Sequence, residues 1–461
     1  MGHSLHDSNI PLSALHDENT VKQWKESLRS DPYRSYLYAY PHKTAYRNFE
    51  KPIPLSQLWS DEPAETYFLY MHIPFCGARC GFCNLFTLPD KNTDMHEKYV
   101  EAIERQARQW SPFVSNKPFA RFAMGGGTPT LLQPAHLERL FGVAVNVMGL
   151  HLESASISIE VSPETVTREK LQMLKDHRVD RVSMGVQSFV GAEAAAVFRP
   201  QQPMQVVHAL ELLRGYDFPI LNLDLIYGLP GQTLDSWLYS LEQALSYQPE
   251  ELFLYPLYTR DHTLVKTEDV RGGDDSRMML YLAARDRLRA EGYKQTSMRR
   301  FSKADSTSAS GKLLLPYSCQ EEGMVGLGCG ARSYTRSVHY SSRYAVSRKA
   351  TAAIIDDFVA AQQYDQADYG IVLSEAEQRR RYVLKAILHS DGLSLNDYSA
   401  RYGGSALEDH AELVLLLQSG WADLDAGDLR LTDEGLAYSD AIGDRLISAE
   451  IRARMEEYVI T

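Results

Sequence analysis

The sequence predicts an α/β protein: a parallel sheet of six βα units, then a C-terminal helical domain closed by a hairpin. Three observations predict it. Six short apolar runs, Phe68–Ile73, Arg121–Met124, Ser156–Val161, Val182–Val186, Leu221–Ile226 and Leu252–Leu257, read as strands. Helical stretches around 93–112, 134–148, 163–177, 192–214 and 234–247 separate them, which makes successive strands parallel. From about Ser374 the pattern changes, with Ser374-Glu375-Ala376-Glu377 as a capping box and Val383, Leu384, Ile387 and Leu388 on one apolar face. Further helices lead to Trp421–Leu431, a hairpin about Ala426-Gly427, and helices followed by such a wing resemble a winged-helix module.

The bulk composition narrows the class. At 461 residues the chain has room for two or three domains, and 44% hydrophobic with 23% charged residues is ordinary for a globular protein. A net charge of −12 argues against nucleic acid as a bulk partner. No apolar run approaches the roughly 18 residues that span a bilayer, and the first twenty residues lack a basic segment followed by an apolar one. His6 stands where a myristoylation signal needs Ser or Thr. Five cysteines make no disulfide framework, and the expectation is a reducing, cytoplasmic setting with neither membrane nor nucleic acid as partner.

Residues 1–62 are polar and punctuated by proline. Within them Tyr36, Tyr38, Tyr40, Tyr46 and Phe49 interleave with His42, Lys43 and Arg47. Such a strap suits contact with a flat substrate at the mouth of a site, or packing of its tyrosines on the sheet's exterior.

The next stretch, Tyr67 to Phe86, is where the chemistry concentrates. Pro74 ends the first strand and releases a loop with Cys76, Cys80 and Cys83. Three soft thiolates at this spacing suit zinc or an iron–sulfur cluster. A structural zinc site closes with a fourth ligand, yet Cys319 and Cys329 lie far downstream and form no CxxC pair. An incomplete thiolate set on a cluster leaves one iron open.

Later strands end in further candidates. Met124-Gly125-Gly126-Gly127-Thr128-Pro129 lets backbone amides approach a ligand, or makes a tight βα turn. Glu160, an acid just past a buried run, needs a partner: a ligand amine or hydroxyl, or a neighbouring cation. Arg199 offers a planar guanidinium suited to a carboxylate, or else a surface charge. Arg299 and Arg300, after Gly292-Tyr293, are candidates for substrate carboxylates or plain edge charges. Gly326-Leu327-Gly328-Cys329-Gly330 is a second glycine-rich turn.

CxxxCxxC after a strand, with Phe82 before the last cysteine, resembles the cluster loop of radical S-adenosylmethionine (SAM) enzymes. More narrowly, YMHIPFCGARCGFC, the GGTP element, GVQSF and DLIYGLPGQT resemble the oxygen-independent coproporphyrinogen III dehydrogenase family, which includes haem chaperones and two-SAM class C methyltransferases. The resemblance covers about residues 65–260 closely and continues loosely to the C-terminus. It implies a partial (β/α)6 radical SAM barrel with a C-terminal winged-helix-like cap. It also implies a [4Fe–4S] cluster held by Cys76, Cys80 and Cys83, whose fourth iron is chelated by SAM. Gly126, Gly127 and Thr128 would contact the SAM amino group, and Glu160 would bind SAM. Gln187 would bond its nucleoside or methionine part, and Arg199 its carboxylate. Asp224 would take the ribose hydroxyls and Tyr70 the adenine. The late glycine turn would line the substrate or second-SAM side.

The expected division is 1–62 strap, 63–300 barrel, 301–373 extension and 374–461 cap. Two departures shape the functional expectation. Leu85 stands where the dehydrogenases carry a fourth cysteine, and the stretch Tyr317 to Met324 lacks the chaperones' His-Asn-x-x-Tyr-Trp signature. The expectation is therefore an enzyme that cleaves SAM to a 5′-deoxyadenosyl radical and methylates an sp² carbon of a tetrapyrrole or other aromatic substrate, using up to two SAM molecules. The alternatives are a coproporphyrinogen dehydrogenase-like oxidoreductase and a haem chaperone. An electron donor such as flavodoxin or ferredoxin completes the expected partners.

Overall fold

The computed structural model describes residues 15–199, 201–259, 263–265, 276–303 and 323–459. In their described parts, Met1–Ala45, Tyr293–Phe301 and Leu373–Glu457 form one compact unit, and Tyr46–Gly292, Ser302–Val372 and Tyr458–Thr461 form a larger one. The smaller unit draws on three separate stretches of the chain, the last beginning at Leu373.

The larger unit is built on one sheet. Its strands are β1 Arg47–Pro54, β2 Tyr67–Ile73, β3 Phe119–Gly126, β4 Ser156–Val161, β5 Arg181–Gln187, β6 Ile220–Tyr227, β7 Glu251–Pro256, β8 Met324–Leu327, β9 Arg332–Tyr334, β10 Val338–Ser341 and β11 Gln366–Val372. Within a sheet of thirteen described strands these eleven lie in the order β1-β11-β10-β9-β8-β2-β3-β4-β5-β6-β7. From β2 to β7 every pair is parallel, with helices between successive strands, as the six apolar runs predict. The expected partial barrel is present. Leu69, Met71 and Ile73 on one face of β2 are completely buried, and Phe68 and His72 on the other are nearly so. Burial on both faces is why the strands read as continuous apolar runs.

Two features depart from the sequence expectation. Short β8 joins the edge of β2 in parallel, with Gly326 opposite Tyr70, and so extends the sheet with a strand from far along the chain. The helix expected over 192–214 is two, Gly191–Ala196 and Pro203–Gly215. Phe198 takes a positive φ of 54° and ends the first. Pro203 starts the second at its first turn, where a missing N–H is harmless, behind a Gln202–Gln205 capping box. The chain between them carries Arg199 and Gln201.

In the smaller unit, Ser374 caps the Glu375–Ile387 helix, and Leu395–Tyr402 and Ala411–Gln418 follow. Ala422–Asp425 pairs with Asp428–Leu431 across Ala426 and Gly427, both at positive φ, the two-residue connection that matches strand twist. Leu393–Ser394 adds a third strand, so the winged-helix-like pattern is present. The strap's tyrosines divide between the units. Buried Tyr40 donates to Glu377 within the smaller one, and Tyr46 lies against Tyr369 in the larger.

Candidate functional site

The cysteine loop leaves the C-terminal end of β2 and is tied at its neck. Phe75–Cys76 pairs in parallel with Leu88–Pro89. Leu88 N–H donates to the Pro74 carbonyl at 2.7 Å, and Asp90 N–H to that of Cys76 at 3.1 Å. Within the ring, Cys83 N–H reaches the Cys80 carbonyl at 3.1 Å, and Gly81 N–H reaches Val197 at 2.8 Å. Each sulfur has a neighbour: Thr128 Oγ1 at 3.9 Å from Cys76, Arg199 Nη1 at 3.4 Å from Cys80, and Thr87 Oγ1 at 3.8 Å from Cys83.

This donor set fits a polynuclear iron core. Burial, then the neighbouring Cys83 charge, pushes the Cys76 thiol up to about 12. Burial also raises Cys80, against the opposing pull of Arg199. Metal charge beside Cys76 and Cys80 would offset that penalty on their thiolates. Among the described residues no three His, Cys, Asp or Glu side chains converge on one ion.

The glycine run is zipped to the same strand end. Gly127 N–H donates to the Ile73 carbonyl at 2.7 Å, and Thr128 N–H to Phe75 at 2.8 Å. Gly126 has φ +117°, and a Cβ there would lie 2.5 Å from the His72 ring. His72, a polar residue inside an apolar run, was missed as a site candidate. Its Nε2 lies 3.0 Å from the Phe86 carbonyl and its Nδ1 3.3 Å from Tyr70 Oη. On its other side Gly330 of the late turn leaves equally little room. The imidazole thus links the cysteine loop, the first glycine run and the second.

Glu160 and Asp224 are half-buried acids that feel each other's charge. Glu160 lies opposite Ser183 in the β4–β5 register, and Asp224 opposite Gly185 in the β5–β6 register. Glu160 Oε2 accepts from Gly126 N–H at 3.0 Å. Burial, with help from Asp224's charge, pushes Glu160 up to about 7. Burial pushes Asp224 up to about 6, against a 2.7 Å hydrogen bond from Asn222 Nδ2 and the attraction of Arg181. Two half-buried carboxyls held up in this way suit a ligand that brings an ammonium group and hydroxyl donors.

At the end of β5 the register slips between Gly185 and Gln187, and Gln187 adopts φ +69°. Bulges of this kind re-aim a side chain. Arg199 closes over the bulge with Nη2 on the Gly185 carbonyl and Nε 2.6 Å from Gln201 Oε1. Beside it, buried Glu193 accepts from Ser188 Oγ at 2.6 Å and from Gln232 Nε2 at 3.0 Å, joining the loops after β5 and β6.

The larger unit therefore holds together Tyr70, the three cysteines, Gly126, Gly127, Thr128, Glu160, Gln187, Arg199 and Asp224. Phe82 packs against the apolar cluster of Val197, Ile226, Leu229, Leu257 and Val265. Arg299 differs from its expected role. In the smaller unit its buried guanidinium pairs with Asp440 and lies 4.0 Å from the Tyr36 ring centroid, so its carboxylate comes from the protein itself. Arg300, half-buried, follows it on the same segment. Cys329 is buried, with its thiol 3.6 Å from Tyr99 Oη, whereas Cys319 and the Tyr317–Glu322 part of the signature region lie outside the described residues.

The chain is similar to known proteins in sequence and in fold. The Radical SAM superfamily model matches residues 70–244, and the HemN C-terminal domain model residues 373–438. The oxygen-independent coproporphyrinogen III oxidase of Salmonella typhimurium is 27% identical over 430 residues, 87% of this chain and 91% of that protein. The heme chaperone HemW of Bacillus subtilis is 27% identical over 367 residues, 76% of this chain and 92% of the relative. The structure of coproporphyrinogen III oxidase (HemN) from Escherichia coli has the same fold, with a TM-score of 0.75 at 22% identity over 89% of this chain and 96% of that one.

Proposed function

This chain is a radical SAM enzyme of the oxygen-independent coproporphyrinogen III oxidase-like family, with a [4Fe–4S] cluster and SAM as cofactors, and on that premise we propose that it oxidises a tetrapyrrole by hydrogen abstraction. The carrying observation is the alignment with named coproporphyrinogen oxidases over most of both chains, radical SAM and HemN C-terminal domains included. When bound, the cluster and SAM supply one-electron cleavage of SAM and, from it, the hydrogen-abstracting species.

In this reading Cys76, Cys80 and Cys83 hold the cluster. Gly126, Gly127 and Thr128 bring backbone and hydroxyl groups to the SAM amino end, and Arg199 faces its carboxylate. Glu160, Gln187 and Asp224 orient the nucleoside and methionine portions, with Tyr70 and Phe82 beside them. Orientation is the protein's main contribution, since delivery to a bound substrate depends on fixed geometry. The electron comes from a carrier protein such as flavodoxin or ferredoxin.

A second reading, two-SAM methyl transfer to an sp² carbon, is favoured by one observation: Leu85, 46% exposed, occupies the position of the oxidases' fourth cysteine. One experiment separates them. Anaerobically reconstituted protein is given SAM, a reductant and coproporphyrinogen III, and the products are read by mass spectrometry. The oxidase reading expects 5′-deoxyadenosine together with a decarboxylated product. S-adenosylhomocysteine and a methylated product would replace it with methyl transfer. Neither nucleoside product from cluster-loaded protein that binds haem would replace both with a chaperone role.

A further inference from the structure

We propose that Gln201 is a positioning residue of the SAM site, holding the Gln187 bulge and the Arg199 guanidinium in one arrangement. The inference rests on the SAM-site reading above.

Gln201 lies in the gap between the Gly191–Ala196 and Pro203–Gly215 helices. Its amide uses both ends. Nε2 donates to the Val186 carbonyl at 2.6 Å and to the Ser188 carbonyl at 3.1 Å, the carbonyls of the two residues that flank Gln187. Oε1 accepts from Arg199 Nε at 2.6 Å. A non-glycine residue at φ +69° is held there by its surroundings rather than by its own preference. Two donors on the flanking carbonyls supply that hold.

The other end sets the guanidinium. With Nε on Gln201, Arg199 turns Nη2 to the Gly185 carbonyl and Nη1 toward Cys80 Sγ at 3.4 Å. One side chain therefore connects the bulge of β5 to the cysteine loop. It has to present two N–H groups on one side and an acceptor on the other, and among side chains of this length only glutamine does both.

The test uses the full-length chain, anaerobically reconstituted, as Gln201→Leu and Gln201→Glu. Leucine removes both contacts. Glutamate keeps an acceptor for Arg199 and sets a carboxylate against the two carbonyls. Both are expected to keep wild-type iron content and a single cooperative melting transition while the Kd for SAM rises about tenfold, on the scale of one or two lost hydrogen bonds. In the cluster-free proteins, amide exchange at 186–189 is expected to quicken.

Wild-type SAM affinity in either variant would overturn the role of Gln201 and leave the site reading standing. Loss of iron in step with loss of SAM binding would also overturn it, because the residue would then act on the cluster loop. A wild-type protein that loads iron yet binds no SAM would remove the site reading, and this inference with it.

Discussion

Arg199 Nη1 lies 3.4 Å from the sulfur of Cys80, while Nη2 of the same guanidinium binds the Gly185 carbonyl at the end of β5. A lysine keeps the charge and loses the fork. Arg199→Lys is expected to weaken SAM binding about ten- to a hundredfold, the scale of charged hydrogen bonds lost, with iron content unchanged. Equilibrium dialysis beside an iron assay checks both halves.

Cys80→Ala removes one of three thiols from a loop that has no fourth. Cluster incorporation and SAM cleavage are expected to fall together to background, read as iron and sulfide per chain and as 5′-deoxyadenosine. Full iron with full turnover would take the loop out of the site.

Glu160 provides a pH test of the acid pair. Its folded value of about 7 lies above the ordinary 4.5, so the folded chain binds the extra proton between those values. Stability from this group is complete below about pH 4.5 and is lost as the pH rises through 7. Asp224, raised to about 6, acts in the same direction. In the cluster-free protein, Glu160→Gln is expected to be about 1–3 kcal/mol more stable than wild type at pH 8 and no more stable at pH 4. Denaturant unfolding at the two pH values reads the difference, and an equal gain at both would disprove it.

Gly126→Ala tests the packing of the glycine run on His72. The added methyl meets the imidazole at 2.5 Å, and the φ of +117° disfavours any side chain. His72 has little freedom to retreat, held by Phe86 and Tyr70. A loss of about 2–4 kcal/mol is expected by the same measurement.

For Arg299 the structure predicts a folding phenotype. Arg299→Met removes one charged hydrogen-bond donor from buried Asp440 and is expected to lower stability by about 1–3 kcal/mol. Adding Asp440→Leu is expected to recover much of the loss. A raised KM with unchanged stability would instead restore a substrate role.

The cysteine loop and the six core strands were legible in the sequence because each depends on neighbours along the chain. Three thiols fall between Cys76 and Cys83, and strands buried on both faces announce themselves as apolar runs. The break between the helices at 191–196 and 203–215 was also written, in the proline at 203, yet the surrounding alanines and leucines suggested one helix. Gln201 carried no signal of its own, since its role exists only once the chain breaks there. Nor could sequence pattern reveal Tyr40 on Glu377, Arg299 on Asp440 or β8 beside β2. Those partners are set by tertiary packing across hundreds of residues.

The pairing of Phe75–Cys76 with Leu88–Pro89 has a bearing on how the protein ages and recovers. Small zinc modules fall apart without their ion because the ion closes the chain. Here amide hydrogen bonds close it, and the glycine run is fastened to the same place by Gly127 and Thr128. Damage by oxygen would empty a socket whose rim stays shut. Reloading the loop is then expected to leave its neck and the strand it springs from undisturbed.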